Sequence, residues 1–289
     1  RIMLMTGRHT PRFTMTDGAL PAGLWLIGLG PGDLGLMTAD AIEHARACEH
    51  RFLEGYTATL PSDQESRLES LIGPWQRAMR PEVEKPSEIL ELARNSPVAL
   101  LVVGDPMQAT THIDLEAHCD EQSIEFSVIP GLSATSLAVS LSGLQSYRFG
   151  RQVTLPFAYG DYLPTSPLEL IDANYRSDLH TLVLLDLDPT GMGVEQPQPM
   201  RPAQAVELLQ KMAERLTERE GDTRDSMSTP IAQWDSILLS DLGTPDQRVV
   251  SGNLEDIAKV DRGRIHCLIL PAEFSGLERE AYERRKGQR

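Results

Sequence analysis

Uncharged apolar runs alternate with amphipathic stretches along most of this chain, and the alternation reads β-α-β. Residues 24–29 form the first apolar run. Thr38 then caps a helix to about Cys48, with Ala41, Ile42, Ala45 and Cys48 at helical spacing. Residues 50–56 predict a second strand, 67–72 a short helix, and 86–94 a helix capped by Ser87. Residues 98–103 carry no charge and no turn former, the signature of a parallel strand buried on both faces. A helix over 113–122, capped by Thr110 or Thr111, and a strand over 125–129 complete a pattern that calls for a parallel sheet with crossover helices. Ser133 opens an apolar helix to about Leu141, and residues 143–150 lack a period and read as a hinge. Beyond the hinge the pattern predicts strands at 152–156, 180–186, 230–234, 248–251 and 265–270. It also predicts a long amphipathic helix over 202–219, a polar loop around 221–228, and a last helix from Leu277, charged nearly all round and expected to fray.

Two turns stand where ligands bind in such sheets, outside the carboxyl ends of strands. Gly104-Asp105-Pro106 stops the buried run at 98–103. It is either part of a ligand rim or a tight strand-to-helix turn in which Asp105 serves only the turn. Gly30-Pro31-Gly32-Asp33-Leu34-Gly35 follows the first strand and matches G-x-G-x-x-G, with Glu54 19 residues past Gly35 at a strand end, the spacing of a dinucleotide site. That makes an NAD or flavin enzyme the rival from another class. Two details count against it. Thr38 starts the helix three residues after Gly35, so the third glycine falls in the loop, and Pro31 removes an N–H from any phosphate cradle. A ligand without phosphate would not miss that donor.

Composition narrows the class. The chain has 289 residues, 40% of them hydrophobic, room for two modest domains. No apolar run approaches the roughly 18–20 residues of a membrane span. The basic opening has too short an apolar run for a signal peptide. Met15 reads as the start, with an upstream extension before it, and residues 1–23 are expected to be disordered. Cys48, Cys119 and Cys267 are far apart, which implies neither a disulfide framework nor a zinc knuckle and fits a reducing cytoplasm. The net charge of −15 speaks against a nucleic-acid partner.

Five segments in order resemble the diphthine synthase family, within the tetrapyrrole-methylase-like class of S-adenosylmethionine (SAM) enzymes. They are the segments running from Leu24 to Asp33, Glu54-Gly55-Tyr56-Thr57, Gly104 to His112, Gly143 to Gly150, and Leu179 to Asp186. The resemblance spans about 24–271. It implies two α/β domains of the tetrapyrrole methylase type, at 24–130 and 131–275, with a charged tail at 276–289 and the active site in the cleft between the domains. SAM would be gripped there mostly by backbone, at Pro31, Asp105, Gln108, Ser133 and Ala134 from the first three loops, and at Leu185, Ala232 and His266 from the second domain. His266 sits in an apolar strand and is equally readable as a structural histidine. Asp186 and Asp188 read as solvated acids, and no catalytic acid or base stands out. The resemblance further implies a cytoplasmic homodimer that methylates the amino group of an aminocarboxypropyl-histidine on elongation factor 2. In the eukaryotic branch the carboxylate is methylated as well.

Pro31-Gly32 and Pro130-Gly131 depart from that family and look like the methylases of corrin and sirohaem synthesis, so the alternative acceptor is uroporphyrinogen or a precorrin. Loops 30–37, 104–112, 130–134 and 185–193 contain no Lys or Arg, which disfavours such a polyanionic macrocycle. Arg148 and Arg151 in the hinge could supply cations from elsewhere.

Overall fold

The first sheet grows from strands that have no polar face to offer. In the computed structural model, which describes residues 19–220 and 229–287, β1 (Gly23–Gly28) is buried throughout and β4 (Pro97–Val102) nearly so. Such strands need neighbours on both edges and helices on both faces. β2 (His50–Glu54), β3 (Gln76–Ala78) and β5 (Phe126–Ile129) complete an all-parallel sheet of order β3-β2-β4-β1-β5. Its faces carry two apolar cores, one around Trp25, Leu53 and Leu101, the other around Leu24, Leu100 and Leu115. The connecting helices are α1 (Ala39–Ala47), α2 (Ser62–Ile72), α3 (Arg80–Glu84), α4 (Ser87–Ala93) and α5 (Ile113–Glu121). Thr38 caps α1 by accepting the Ala41 N–H at 3.1 Å, as its position predicts.

The second sheet is mixed, in the order β6-β7-β10-β8-β9. β6 (Val153–Leu155) pairs parallel with β7 (Thr181–Leu185), whereas β10 (His266–Leu270) runs antiparallel to β7 and β8 (Asp235–Ser240), and β9 (Arg248–Asn253) runs antiparallel to β8. α7 (Ser166–Arg176), α8 (Pro202–Glu220) and α9 (Leu254–Ile257) accompany one face. The other face packs against α6 (Ala134–Ser142) and α10 (Gly276–Arg285).

Several expectations need correction. Residues 230–234 are not a strand: Ile231–Gln233 is a 3-10 turn, and the strand is the apolar run just after it. α5 is capped at His112 with no side-chain bond, so neither Thr110 nor Thr111 caps it. Leu20 is buried and Gly23 opens β1, so order begins before residue 24. The expected disorder before residue 19 and the polar loop at 221–228 fall outside the described residues.

Nor is α10 a fraying tail. Tyr282 and Glu278 are fully buried, and a Ser275/Glu278 capping box starts the helix. Glu278 accepts from the backbone N–H of Gln145 at 2.9 Å and of Ser275 at 2.8 Å, and pairs with Arg148. His180 Nδ1 accepts the Ala272 N–H at 3.0 Å, so its proton sits on Nε2 and is donated to Glu278 Oε1, also at 3.0 Å. Arg148 further reaches Asp178 at 2.6 Å and the Glu273 carbonyl at 2.7 Å. Two of the segments that carry the family resemblance therefore serve a structural clasp, which joins the hinge, the start of β7 and the last helix.

Candidate functional site

Three loops leave the carboxyl ends of β1, β4 and β5 and touch backbone to backbone. Gly30 and Gly104 exchange hydrogen bonds, N–H to O at 3.2 Å one way and 2.9 Å the other. Gly30 has φ +73°, which L side chains rarely adopt. A Cβ on Gly131 would lie 2.2 Å from the Gly104 carbonyl oxygen, so only glycine lets the third loop close on the second.

Facing these loops are the ends of β6, β7 and β8 and the start of β10. A cleft of about 640 Å³ lies between. The two sheets meet across it at two points. The Asp33 N–H donates to the Gly243 carbonyl at 3.0 Å, and Arg80 donates to Gly191 and Gly193 at 3.1 and 3.0 Å.

Of the residues expected at the site, Pro31, Asp105, Gln108, Ser133, Ala134, Leu185 and His266 line this cleft. Ala232 does not. It sits in the 3-10 turn before β8, whereas the cleft meets the far end of that six-residue strand, whose length alone is roughly 20 Å. The β8 contribution is instead Asp241 and Leu242. Asp105 both lines the cleft and ties loops together, since it accepts the N–H of Met107 at 2.9 Å and of Gly131 at 3.1 Å. Ser133 caps α6 through the Thr135 N–H at 3.2 Å. His266 is held by Ser240 Oγ at 2.8 Å, and burial, then the nearby Arg201, lower its basicity despite Asp241. Asp186 and Asp188 are not merely solvated. Asp186 accepts the N–H of Leu187 and Asp188, and Asp188 accepts those of Thr190 and Gly193.

Other lining residues were not anticipated. Tyr56, Thr57 and Thr59 come from the loop after β2, Arg80 from α3, and Arg264 from the turn before β10. Their elements lack a period to betray them, although Glu54-Gly55-Tyr56-Thr57 is visible as a motif. Arg80 and Arg264 bring cations to the cleft from outside the four loops that lack them, while Arg148 is committed to Glu278. Glu54, the acid expected to hold a ribose in a dinucleotide site, points elsewhere. It is buried, its carboxyl accepts Thr57 Oγ1 at 2.6 Å, and burial pushes its pKa up to about 7 against the lowering effect of Thr57. His112 is 4.0 Å away, with Nδ1 donating to the Pro106 carbonyl at 2.8 Å, and burial lowers its basicity.

The glycine loop is a poor phosphate cradle because all of its amides but that of Gly32 are spent. Gly30 donates to Gly104, Asp33 to Gly243, Leu34 to Gln64 and Gly35 to Asp33, while Pro31 has no N–H. Gly35 lies in a 3-10 turn ahead of α1, so no long helix points its N-terminus at the loop. Two cleft hydroxyls, Thr59 Oγ1 and Thr110 Oγ1, are buried with no hydrogen-bond partner, which suits a polar ligand that brings its own groups. Among the described residues no set of three or more His, Cys, Asp or Glu is placed to hold a metal ion, and no helix is long and apolar enough to cross a membrane.

The sequence profile of the tetrapyrrole (corrin/porphyrin) methylases matches residues 23–258. The chain is 35% identical to a diphthine synthase of Methanocorpusculum labreanum, over 91% of this chain and 99% of that one. It is 36% identical to a diphthine methyl ester synthase of Aspergillus fumigatus, over 86% of this chain and 87% of that one. A crystal structure of diphthine synthase superposes with a TM-score of 0.76 at 26% identity, covering 91% and 95% of the two chains.

Proposed function

The chain belongs to the tetrapyrrole methylase family, in the branch of the diphthine synthases, and is a methyltransferase; from that premise we propose that it carries methyl groups from SAM to the amino nitrogen of the aminocarboxypropyl-histidine on elongation factor 2. The observation that carries the donor assignment is the glycine loop in which Pro31 has no N–H and every other amide except that of Gly32 is already bonded. Such a loop fits a nucleoside without phosphate and disfavours NAD. Pro31, Asp105, Gln108, Ser133, Ala134, Leu185 and His266 would hold the donor, with Thr59 and Thr110 free to bond it. When bound, SAM supplies a methyl already activated on a cationic sulfur.

The protein's part is then positional. Loops from both sheets fix the donor and exclude water, which can supply roughly 7–11 kcal/mol when reacting atoms are held in line. The dry cleft favours an acceptor amine in its neutral, nucleophilic form. No side chain needs to serve as a strong base. The cytoplasm, where elongation factor 2 works, is the compartment this reading assigns. A homodimer completes it, with α6 as the interface: an apolar helix on which Leu137, Val139 and Leu141 remain only half-buried in the single chain.

Calorimetric titration tests the donor. Tight binding of S-adenosylhomocysteine and none of NAD is expected, and the reverse would end the methyltransferase reading of the cleft. Label from methyl-labelled SAM should pass to elongation factor 2 bearing the aminocarboxypropyl-histidine and not to the unmodified factor. Methylation of uroporphyrinogen or a precorrin, with the modified factor untouched, would transfer the assignment to the tetrapyrrole branch.

A further inference from the structure

A second cavity of about 590 Å³ opens beside the cleft. Thr59, Arg264 and His266 line both spaces, so they form a common wall. The far side carries Arg77 and Arg201, and the N-terminal end of the 19-residue α8 opens onto it at Arg201 and Pro202. Arg77 is paired with Glu65 at 2.7 Å. The guanidinium groups of Arg201 and Arg264, by contrast, make no hydrogen bond or ion pair among the described residues, and both residues, exposed in the chain, line this cavity. A helix N-terminus adds positive potential to theirs. Thr59 Oγ1, buried and without a partner, stands on the wall between donor cleft and cavity. Glu65 and Asp261 also line the space, so it offers cationic and anionic groups together.

We propose that this cavity is the acceptor's chamber, in which Arg201 and Arg264 hold the carboxylate of an α-amino-acid group carried on a protein side chain. The proposal rests on the methyltransferase reading above and gives it a place for the acceptor. With the carboxylate held at Arg264 on the common wall, the adjacent amine is turned toward the donor cleft. The nitrogen lone pair forms the new N–C bond while the donor's C–S bond breaks and its electron pair leaves with sulfur. The amine releases a proton to water before each transfer, so neither His266 nor Thr59 needs to accept it. Carboxylate pairing is bidentate for arginine, so one guanidinium orients the group and the second secures it.

The test uses Arg201→Met, because Arg201 lines only the second cavity, with Arg264→Met and Arg201→Lys beside it. Arg262→Met, an exposed neighbour outside both cavities, controls for loss of surface charge. Methyl transfer to elongation factor 2 bearing the aminocarboxypropyl-histidine is measured together with S-adenosylhomocysteine affinity. Arg201→Met should raise KM for the factor at least tenfold and leave S-adenosylhomocysteine affinity and melting temperature unchanged. Arg201→Lys should recover part of the loss, and Arg262→Met should match wild type. An unchanged KM in the Arg201→Met, Arg264→Met double variant, with donor binding intact, would overturn the chamber while leaving the methyltransferase reading in place. A wild-type enzyme inactive on the modified factor would remove both.

Discussion

Replacing Glu278 with glutamine isolates the charge in the clasp that joins the hinge to α10. The side chain is fully buried and faces Arg148, His180 and two backbone amides. Burial alone would raise its pKa, but the hydrogen bonds from Gln145, Ser275 and His180 bring it down to about 2, from 4.5 for an ordinary glutamate. A depressed carboxylate stabilises the fold fully above the unfolded value and loses that contribution as pH falls through the folded one. The shift is worth roughly 3 kcal/mol near neutrality, and roughly half of that remains at about pH 3. The substituted amide keeps a hydrogen-bond acceptor but leaves Arg148 without its buried counter-charge, a loss in the range of about 3–5 kcal/mol for such pairs. Urea denaturation of wild type and Glu278→Gln should therefore show a gap of about 3 kcal/mol near pH 7 that narrows by about half near pH 3. The affinity for S-adenosylhomocysteine should not change, because no member of the clasp lines the cleft. A gap that stays constant over this range, or that is absent near neutrality, would refute the assignment of the clasp's stability to a buried ion pair.

Asp105→Ala should lower stability by roughly 1–3 kcal/mol as well as weakening S-adenosylhomocysteine binding, since the Met107 and Gly131 amides lose their acceptor. A variant with wild-type stability in urea would contradict this. Glu54→Gln should flatten the pH profile of stability. The wild-type carboxyl, raised from 4.5 to about 7, favours the fold fully below its unfolded value and loses that advantage by the time pH has risen through 7, so wild type should fall relative to the variant between about pH 4.5 and 7 and level off above. Parallel profiles from about pH 5 to pH 8 would refute it. Light scattering should report a dimer at micromolar concentration, reduced to monomer by Leu137→Asp in α6, and a wild-type monomer would refute the proposed pairing.

The first sheet is largely legible in the sequence because its strands are buried on both faces and carry the uninterrupted apolar runs that periodicity detects. Thr38 and Ser133 stand out because a hydroxyl before a periodic run has few other reasons to be there. What escapes is physically coherent. β3 is three residues long, Gln76-Arg77-Ala78, and only Ala78 is buried, so nothing in it announces a strand. α3 is five residues behind a Met79 cap. α7 begins at Ser166-Pro167, where proline reads as a loop although it is welcome in a first helical turn. A strand over 230–234 is misplaced because Ile231 and Trp234 are apolar in a turn that closes on itself. These errors propagate to the site. Arg80 stands in the unseen α3, and Ala232 sits in the 3-10 turn at the end of β8 away from the cleft.

The residues that depart from the diphthine synthase pattern can be weighed on the same terms. A Cβ on Gly131 would meet the Gly104 carbonyl at 2.2 Å, and one on Gly32 would meet Thr244 at 2.5 Å. Gly131 answers to the packing of the first-sheet loops on one another, and Gly32 to the contact of one of those loops with the second sheet. Gly32 lines the cleft and Gly131 packs on Gly104, which lines it, and neither borders the arginine-lined cavity. A likeness to the corrin and sirohaem enzymes at these positions therefore concerns how a shared donor pocket is closed. Under the proposed chamber, acceptor choice falls to side chains on the second sheet's rim and on the loops after β2, which packing does not dictate. Arg201→Met is for that reason a sharper probe of substrate than any change in the glycine loops, since a loop variant would lose donor and acceptor together.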